Sequence, residues 1–95
     1  MTLRSVKTGQ FRRDVKLCAK QHRDMKALRD VMELLEDGAI LVNYPEYNDH
    51  QLIGSLDGVR ECHLQGRFSD WLLMYQQQPD AIIYYRTGTH SELLE

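Results

Sequence analysis

The N-terminal third of the chain carries apolar residues at helical spacing in two consecutive segments. The first segment follows Thr8, a good N-capping residue, and its apolar stripe consists of Phe11, Val15, Cys18, Ala19 and His22. The second segment follows Asp24, another capping residue, and its stripe consists of Met25, Leu28, Val31, Met32 and Leu35. Gly38 then stands where a glycine commonly ends a helix. Because almost nothing separates the two segments, they predict a hairpin of two antiparallel helices.

The rest of the chain is patterned as strands and turns. A short strand is expected at 3–6, and three strand-like runs occupy 58–64, 71–75 and 81–87, the last two joined by a loop at 76–80. In the first run, side-chain alternation places Cys62 and Leu64 on one face and Glu61 and His63 on the other. Helices followed by strands favour an α+β fold, with the helix hairpin packed on one face of an antiparallel sheet.

Length and composition indicate one small domain spanning residues 1–95. The chain has 95 residues, of which 42% are hydrophobic and 27% are charged, as in ordinary globular proteins. No apolar run approaches the roughly 20 residues of a membrane span, and the N-terminus lacks the apolar core of a signal peptide. The only cysteines, Cys18 and Cys62, are too few for a disulfide framework. These features predict an intracellular, cytoplasmic protein with reduced thiols and no membrane association.

The charge is unevenly distributed along the chain. Residues 1–35 hold nine basic and four acidic residues, a balance of +5, whereas residues 36–95 hold three basic and ten acidic residues, a balance of −7. A basic N-terminal third is suited to contact a polyanion or an acidic partner. The alternative is that these cations simply form a solvated helix surface.

The C-terminal segment brings together residue types suited to phosphodiester chemistry. The apolar run at 81–85 ends in the sequence RTGTH, in which a turn at Gly88 separates Arg86 from His90. Arginine is a permanent cation that can grip a phosphate, and histidine can take or give a proton near neutral pH. Two more histidines, His50 and His63, lie upstream. Together these residues predict cleavage or transfer of a phosphodiester by side chains.

Four motifs in this order resemble the YafQ branch of the RelE/ParE toxin superfamily. They are DHQLIGS at 49–55, GVRECH at 58–63, DWLLMY at 70–75 and RTGTHSELL at 86–94. FRRD at 11–14 and the helix start at 24–25 also resemble that family, so the similarity covers nearly the whole chain. The segment LQGRFS at 64–69 is longer than the family pattern and is expected to protrude between two strands.

The resemblance implies a function. Proteins of this kind are the toxins of bacterial toxin–antitoxin pairs and cleave messenger RNA, typically in the ribosomal A site. They use no metal and no cofactor. A cognate antitoxin neutralises the toxin as a hetero-oligomer, and the complex contacts operator DNA only through the antitoxin.

The resemblance also implies which residues form the site. By motif, the residues that match the family's active site are His50, His63, Asp70, Trp71 and His90. Arg86 matches an arginine used in related members, and Leu94 occupies the place where the family usually has an aromatic residue. Arg60, within the second motif, is assigned to RNA binding together with Trp71 and Leu94.

RNA cleavage by side chains explains these residue types. One group must remove the 2′-OH proton, another must protonate the departing 5′ oxygen, and positive charge must meet the phosphate. We expect His90 and one of His50 or His63 to form the acid–base pair, with Asp70 orienting an imidazole or sharing the base role. Arg86 would hold the phosphate, and Trp71 could stack on a base.

Several residues have structural alternatives. His63 could be incidental, Trp71 could be core, and Arg86 could pair with Glu61 or Glu92. Three histidines with Asp70 could also bind zinc, although they lack short ligand spacings. The alternative function is a catalytically weakened homologue that binds an antitoxin and takes part in transcriptional autoregulation.

Overall fold

A computed structural model describes residues 2–52 and 58–94. The elements are β1 (Arg4–Lys7), α1 (Gly9–Lys20), α2 (Met25–Glu36), two 3₁₀ turns (Leu41–Asn43 and Pro45–Tyr47), β2 (His50–Gln51), β3 (Val59–His63), β4 (Trp71–Gln77), β5 (Ala81–Thr89) and α3 (His90–Leu94). The part of the first motif at 53–55 lies outside the described residues. No helix in the described ranges is long and apolar enough to cross a membrane.

The five strands form one sheet in the order β1-β5-β4-β3-β2. The pairs among β2, β3, β4 and β5 are antiparallel, but β1 is parallel to β5, with Arg4 beside Ala81. The predicted α+β class is confirmed, whereas the expectation of an entirely antiparallel sheet is wrong for this one pair. Both strands start at the same end of the sheet, where the backbone N–H of Arg4 donates to the carbonyl of Asp80.

The two predicted helices begin at the predicted caps. The Thr8 hydroxyl accepts a hydrogen bond from the Phe11 N–H at 3.0 Å and donates to the carbonyl of Tyr85 at 2.9 Å, which ties the start of α1 to β5. Asp24 accepts from the Lys26 N–H at 3.2 Å at the start of α2. After α2, Gly38 adopts a φ of +93°, a left-handed conformation that favours glycine.

The helix hairpin covers one face of the sheet, as predicted. The helix side chains buried there are Phe11, Cys18, Leu28, Val31 and Leu35. The side chains that meet them from the sheet are Cys62, Trp71, Leu73, Tyr75, Ile82 and Tyr84, together with Leu64 directly after β3. The stripe of α1 differs from the prediction at three places. Ala19, predicted to be buried, is exposed. His22 lies beyond the helix end in a left-handed conformation and is exposed, while the acidic Asp14 is buried.

Part of the N-terminal positive charge surrounds a groove between α1 and α2. The groove measures about 400 Å³ and is lined by Phe11, Val15, Met25, Leu28 and Met32, with the cations Lys7, Arg12, Lys16 and Arg29 around it. These four cations are exposed, so their charge is accessible at the molecular surface.

Asp14 joins α1 to the edge of β5. Its carboxylate accepts from Arg86 Nε at 2.8 Å and Nη2 at 3.1 Å, and from the Thr87 backbone N–H at 3.1 Å. The Asp14 side chain is only 7% exposed. Burial alone would raise the pKa of Asp14, but the hydrogen bonds from Arg86, Gln10 and Thr87 outweigh it and hold the pKa below its ordinary value.

Replacing this carboxylate tests its contribution to stability. Because the folded-state pKa of Asp14 is lowered, its stabilisation is present above the unfolded pKa of about 3.9 and is lost as the pH falls through the folded pKa. Asp14→Asn is expected to lower the free energy of unfolding by about 1.5–3 kcal/mol at pH 7. The difference in the free energy of unfolding between the parent chain and Asp14→Asn should shrink as the pH is lowered below about 4.

Denaturant unfolding at several pH values measures this difference. The control is Asp30→Asn, which removes an exposed ion pair with Lys26 on α2 and should cost far less at pH 7. If Asp14→Asn lowered the free energy of unfolding by the same amount at every pH, the stabilising role of the ionised Asp14 carboxylate would be contradicted.

Candidate active site

The sheet face opposite the helix hairpin gathers three of the four histidines. His50 on β2 is in register with Glu61 on β3, and His63 lies two residues further along β3 on the same face. His90 follows directly after β5. The ring centroids of His50 and His63 are 6.0 Å apart, and those of His63 and His90 are 6.1 Å apart. The structure therefore brings together the three histidines predicted from the sequence.

A capping box places His90 at the first position of α3. The Thr89 hydroxyl accepts from the Glu92 N–H at 3.3 Å, while the Glu92 carboxylate accepts from the Thr89 N–H at 2.8 Å. These reciprocal bonds start a helix immediately after β5. His90 is thereby fixed at the edge of the site.

Asp70 orients the imidazole of His90. Nδ1 of His90 donates to Asp70 Oδ1 at 2.6 Å, and the His90 backbone N–H approaches the same oxygen at 3.3 Å. The side-chain hydrogen bond from His90, followed by the backbone bond, lowers the pKa of Asp70 below its ordinary value. With Nδ1 committed to Asp70, the other ring nitrogen, Nε2, is available for proton transfer. The structure thus places Asp70 against an imidazole, and its orienting role in catalysis stays a prediction.

His63 uses both ring nitrogens within the protein. Its Nδ1 donates to the carbonyl of Ser69 at 2.6 Å, and its Nε2 accepts from the Asn48 amide at 3.3 Å. The ring is buried. These contacts favour the tautomer with its proton on Nδ1. His63 is thus held rigidly between the other two histidines.

Glu61 is a central group that the sequence reasoning did not assign to the site. Its Oε1 lies 3.2 Å from Nε2 of His50 and 3.7 Å from Nε2 of His90, and its side chain is only 8% exposed. His50 is oriented by its own Nδ1, which donates to the carbonyl of Asn48 at 2.9 Å. A single buried carboxylate therefore faces the available nitrogens of two histidines. The sequence did contain a signal for this role of Glu61, because the alternation of side chains along the strand places Glu61 on the same face as His63.

The two predicted arginines are engaged outside this cluster. Arg86 pairs with Asp14 and not with Glu61 or Glu92, and this pairing would compete with a phosphate. Arg60 donates from Nε to Asp49 Oδ1 at 2.5 Å, and Tyr75 donates its hydroxyl to the other oxygen of Asp49. The Asp49 contacts fix the chain just before β2 and so hold His50 in place.

The prediction that Trp71 stacks on a base is wrong, because its ring is buried. Trp71 is only 1% exposed and belongs to the core beneath the helices, with the Arg23 guanidinium 5.5 Å from its ring centroid. The reason is register: His63 pairs with Leu72, so the adjacent Trp71 points to the opposite face. Leu94 is the last residue of α3, and its side chain lies outside the described part of the structure.

Three side chains of the cluster could hold a metal ion. One ligand atom from each of His50, Glu61 and His63 lies within 4.8 Å of the others. Imidazole and carboxylate are ligands that zinc and copper accept. This set differs from the one considered from the sequence, because Glu61 takes the place of Asp70 and His90 is not part of it.

Comparison with known proteins identifies the family. The family model for YafQ, described as a bacterial toxin of a type II toxin–antitoxin system, matches residues 3–95. The chain belongs to the YafQ toxin family. It is 38% identical over 86 residues to the mRNA interferase toxin YafQ of Escherichia coli K12, covering 90% of this chain and 89% of that protein.

Solved structures of similar proteins support the same family and fold. The E. coli DinJ–YafQ toxin–antitoxin complex superposes with a TM-score of 0.82 at 35% identity, covering 100% of both chains. A metal-bound toxin from Helicobacter pylori superposes with a TM-score of 0.82 at 36% identity, covering 96% of this chain and 98% of that one. The predicted YafQ resemblance is confirmed.

The hydrogen bonds of His63 predict its tautomer. Nitrogen-15 NMR of the histidine rings at neutral pH is expected to show a proton on Nδ1 of His63 and none on Nε2, because Nδ1 faces a carbonyl that can only accept. His22, exposed after α1, provides the internal comparison and should show exchange between both tautomers. A proton found on Nε2 of His63 would contradict the arrangement.

Proposed function

We propose that this YafQ-family chain is the toxin of a type II toxin–antitoxin pair and an endoribonuclease that cleaves messenger RNA by general acid–base transfer. The observation that carries the proposal is the histidine cluster around Glu61, in which His50 and His90 each keep one ring nitrogen available. The E. coli relative is an mRNA interferase toxin, which supports the same substrate.

The geometry favours His50 and His90 as the acid–base pair. Each has Nδ1 committed to a fixed oxygen acceptor, so that Nε2 carries the exchangeable proton. One of them takes the proton from the 2′-OH as the 2′ oxygen attacks phosphorus. The bond from phosphorus to the 5′ oxygen then breaks, and the other histidine gives its proton to that oxygen. The products are a 2′,3′-cyclic phosphate and a 5′-hydroxyl.

The remaining groups hold this pair and compensate its charge. Glu61 faces both Nε2 atoms, so it stabilises whichever imidazole is protonated during the reaction. Asp70 fixes the ring orientation of His90, and His63 fills the space between the two reacting rings with both nitrogens occupied. A protonated imidazole beside the phosphate supplies positive charge as negative charge develops.

Substitution of the two reacting histidines tests the mechanism. His90→Gln and His50→Gln are each expected to lower the cleavage rate by roughly 10²–10⁴-fold, the usual contribution of a general acid or base. Cleavage of a defined message in a reconstituted translation reaction, with and without ribosomes, measures the rate and the ribosome requirement. His22→Asn is the matched control and should leave the rate unchanged, because His22 lies outside the cluster. Full activity of His90→Gln would contradict the assignment.

The same variants separate the nuclease from the alternative function. A catalytically weakened homologue that serves in autoregulation would be harmless when expressed without its antitoxin. A nuclease that inhibits translation in the cytoplasm would arrest growth, and His90→Gln would relieve the arrest. The intact His90–Asp70 pair and the two available nitrogens favour the nuclease.

A cognate antitoxin is the expected protein partner. The E. coli relative is found in complex with the antitoxin DinJ, and the superposition extends over the whole of that toxin chain. We infer that this chain likewise forms a hetero-oligomer with its antitoxin, and that operator DNA is contacted through the antitoxin.

The mechanism requires no metal, and a bound metal would occupy the reacting groups. Cleavage is therefore expected to continue in excess EDTA. Added Zn²⁺ or Cu²⁺ should inhibit, because binding to His50, Glu61 and His63 would take the available nitrogen of His50. Measuring the rate after metal removal and after metal addition tests this. Loss of activity in EDTA that is restored by a metal ion would overturn the metal-independent mechanism.

A further inference from the structure

We propose that Phe68 and Arg67 form a platform on which a nucleobase of the RNA substrate stacks beside the catalytic histidines. The inference rests on the proposed nuclease function and adds a substrate-binding subsite to it. It assigns a role to the segment between β3 and β4 that the mechanism leaves unused.

Phe68 is unusually accessible for an aromatic residue. Its relative exposure is 92%, compared with 59% for Val42, the next most exposed of the large hydrophobic residues described. An exposed ring of this kind contributes little to core packing, and a single exposed apolar residue is unremarkable by itself. Two features distinguish Phe68 from such a residue, namely its position in the fold and the side chain beside it.

The turn that carries Phe68 also supports the catalytic histidines. The carbonyl of Ser69, the next residue, accepts from Nδ1 of His63 at 2.6 Å. Asp70, two residues after Phe68, accepts from His90 at 2.6 Å. Phe68 thus directly precedes two consecutive residues, Ser69 and Asp70, that contact imidazoles of the site.

Internal hydrogen bonds fix this turn. The Ser69 N–H donates to the carbonyl of Gly66 at 3.0 Å, and the Ser69 hydroxyl accepts from the Trp71 N–H at 3.1 Å. Gly66 has a φ of +105°, a left-handed conformation suited to glycine. Phe68 is therefore presented from a defined turn, which lowers the entropy cost of stacking on a ligand.

Arg67 gives the platform its charge. Its guanidinium carbon lies 5.3 Å from the centroid of the Phe68 ring. An arginine against an aromatic ring can stack on a base and meet a neighbouring phosphate. Trp71, the ring to which the sequence assigned stacking, is buried on the other face, whereas Phe68 is open to a base. An extended single strand of RNA fits these two groups, because unpaired bases present their faces for stacking.

The test compares Phe68→Ala with Phe68→Tyr in the full chain. Stacking of one base on an aromatic ring is worth about 1–3 kcal/mol, so Phe68→Ala should lower kcat/KM for RNA cleavage roughly 5- to 160-fold. Phe68→Tyr keeps the ring and should retain near wild-type activity. The effect should appear mainly in KM, because the ring contacts neither the reacting proton nor the phosphate. Val42→Ala is the control for loss of an exposed apolar side chain and should have no effect.

A binding measurement separates this inference from the nuclease itself. In the inactive His90→Gln background, the Kd for a single-stranded RNA oligonucleotide of mixed sequence should rise by a similar factor on Phe68→Ala. The thermal melting temperature should not change, since the ring is exposed. Equal kcat/KM and Kd for Phe68→Ala and the parent chain, with wild-type cleavage intact, would overturn the platform and leave the nuclease standing. Failure of the wild-type chain to cleave or bind RNA would overturn both.

Discussion

The buried carboxylate of Glu61 is the constraint around which the open face of the sheet is organised. A carboxylate removed from water is costly unless hydrogen-bond donors or cations face it. Here the two facing groups are His50 and His90, which arrive from β2 and from the start of α3. The arrangement that makes this burial tolerable also brings two imidazole nitrogens to the same carboxylate. In the proposed mechanism, stability and chemistry therefore depend on the same contacts.

The rest of the fold serves to hold those two histidines at fixed positions. His50 belongs to a strand of only two residues, which could not hold its place alone. Asp49, enclosed by Arg60 and the hydroxyl of Tyr75, fixes the chain before it. Asp70 and the capping box of α3 hold His90 from two directions. The groups that contact these two histidines in the described part of the chain are therefore themselves held in place, as preorganised sites require.

Local signals in the sequence were sufficient for α1, α2 and four of the five strands. They did not predict β2 or α3, and the turn expected at Gly88 lies within β5. Thr8 and Asp24 cap the helices because capping depends on neighbouring residues alone. Alternation correctly separated Glu61 and His63 from Cys62 and Leu64. The parallel pairing of β1 could not be read in this way, since it depends on the path of the chain through both helices.

The site was only partly predictable for a related reason. The histidines and Asp70 could be named from their motifs. The residues that surround Glu61 in the sequence, however, do not indicate whether its carboxylate is buried or exposed. The face of Trp71 depends on the register of β4 against β3, which is a property of two strands together. The partner of Arg86 lies 72 residues away on α1, and no local pattern in the sequence indicates such a contact.

The edge of β5 has a consequence for how the protein can associate with copies of itself. β1 covers only the first half of β5, from Ala81 to Tyr84, and an uncovered strand edge is a ready template for intermolecular pairing. Beyond that point, the Asp14 carboxylate occupies the backbone N–H of Thr87 that an incoming strand would use. A helix side chain thus blocks edge-to-edge growth of the sheet at this position and protects the chain from one route to aggregation.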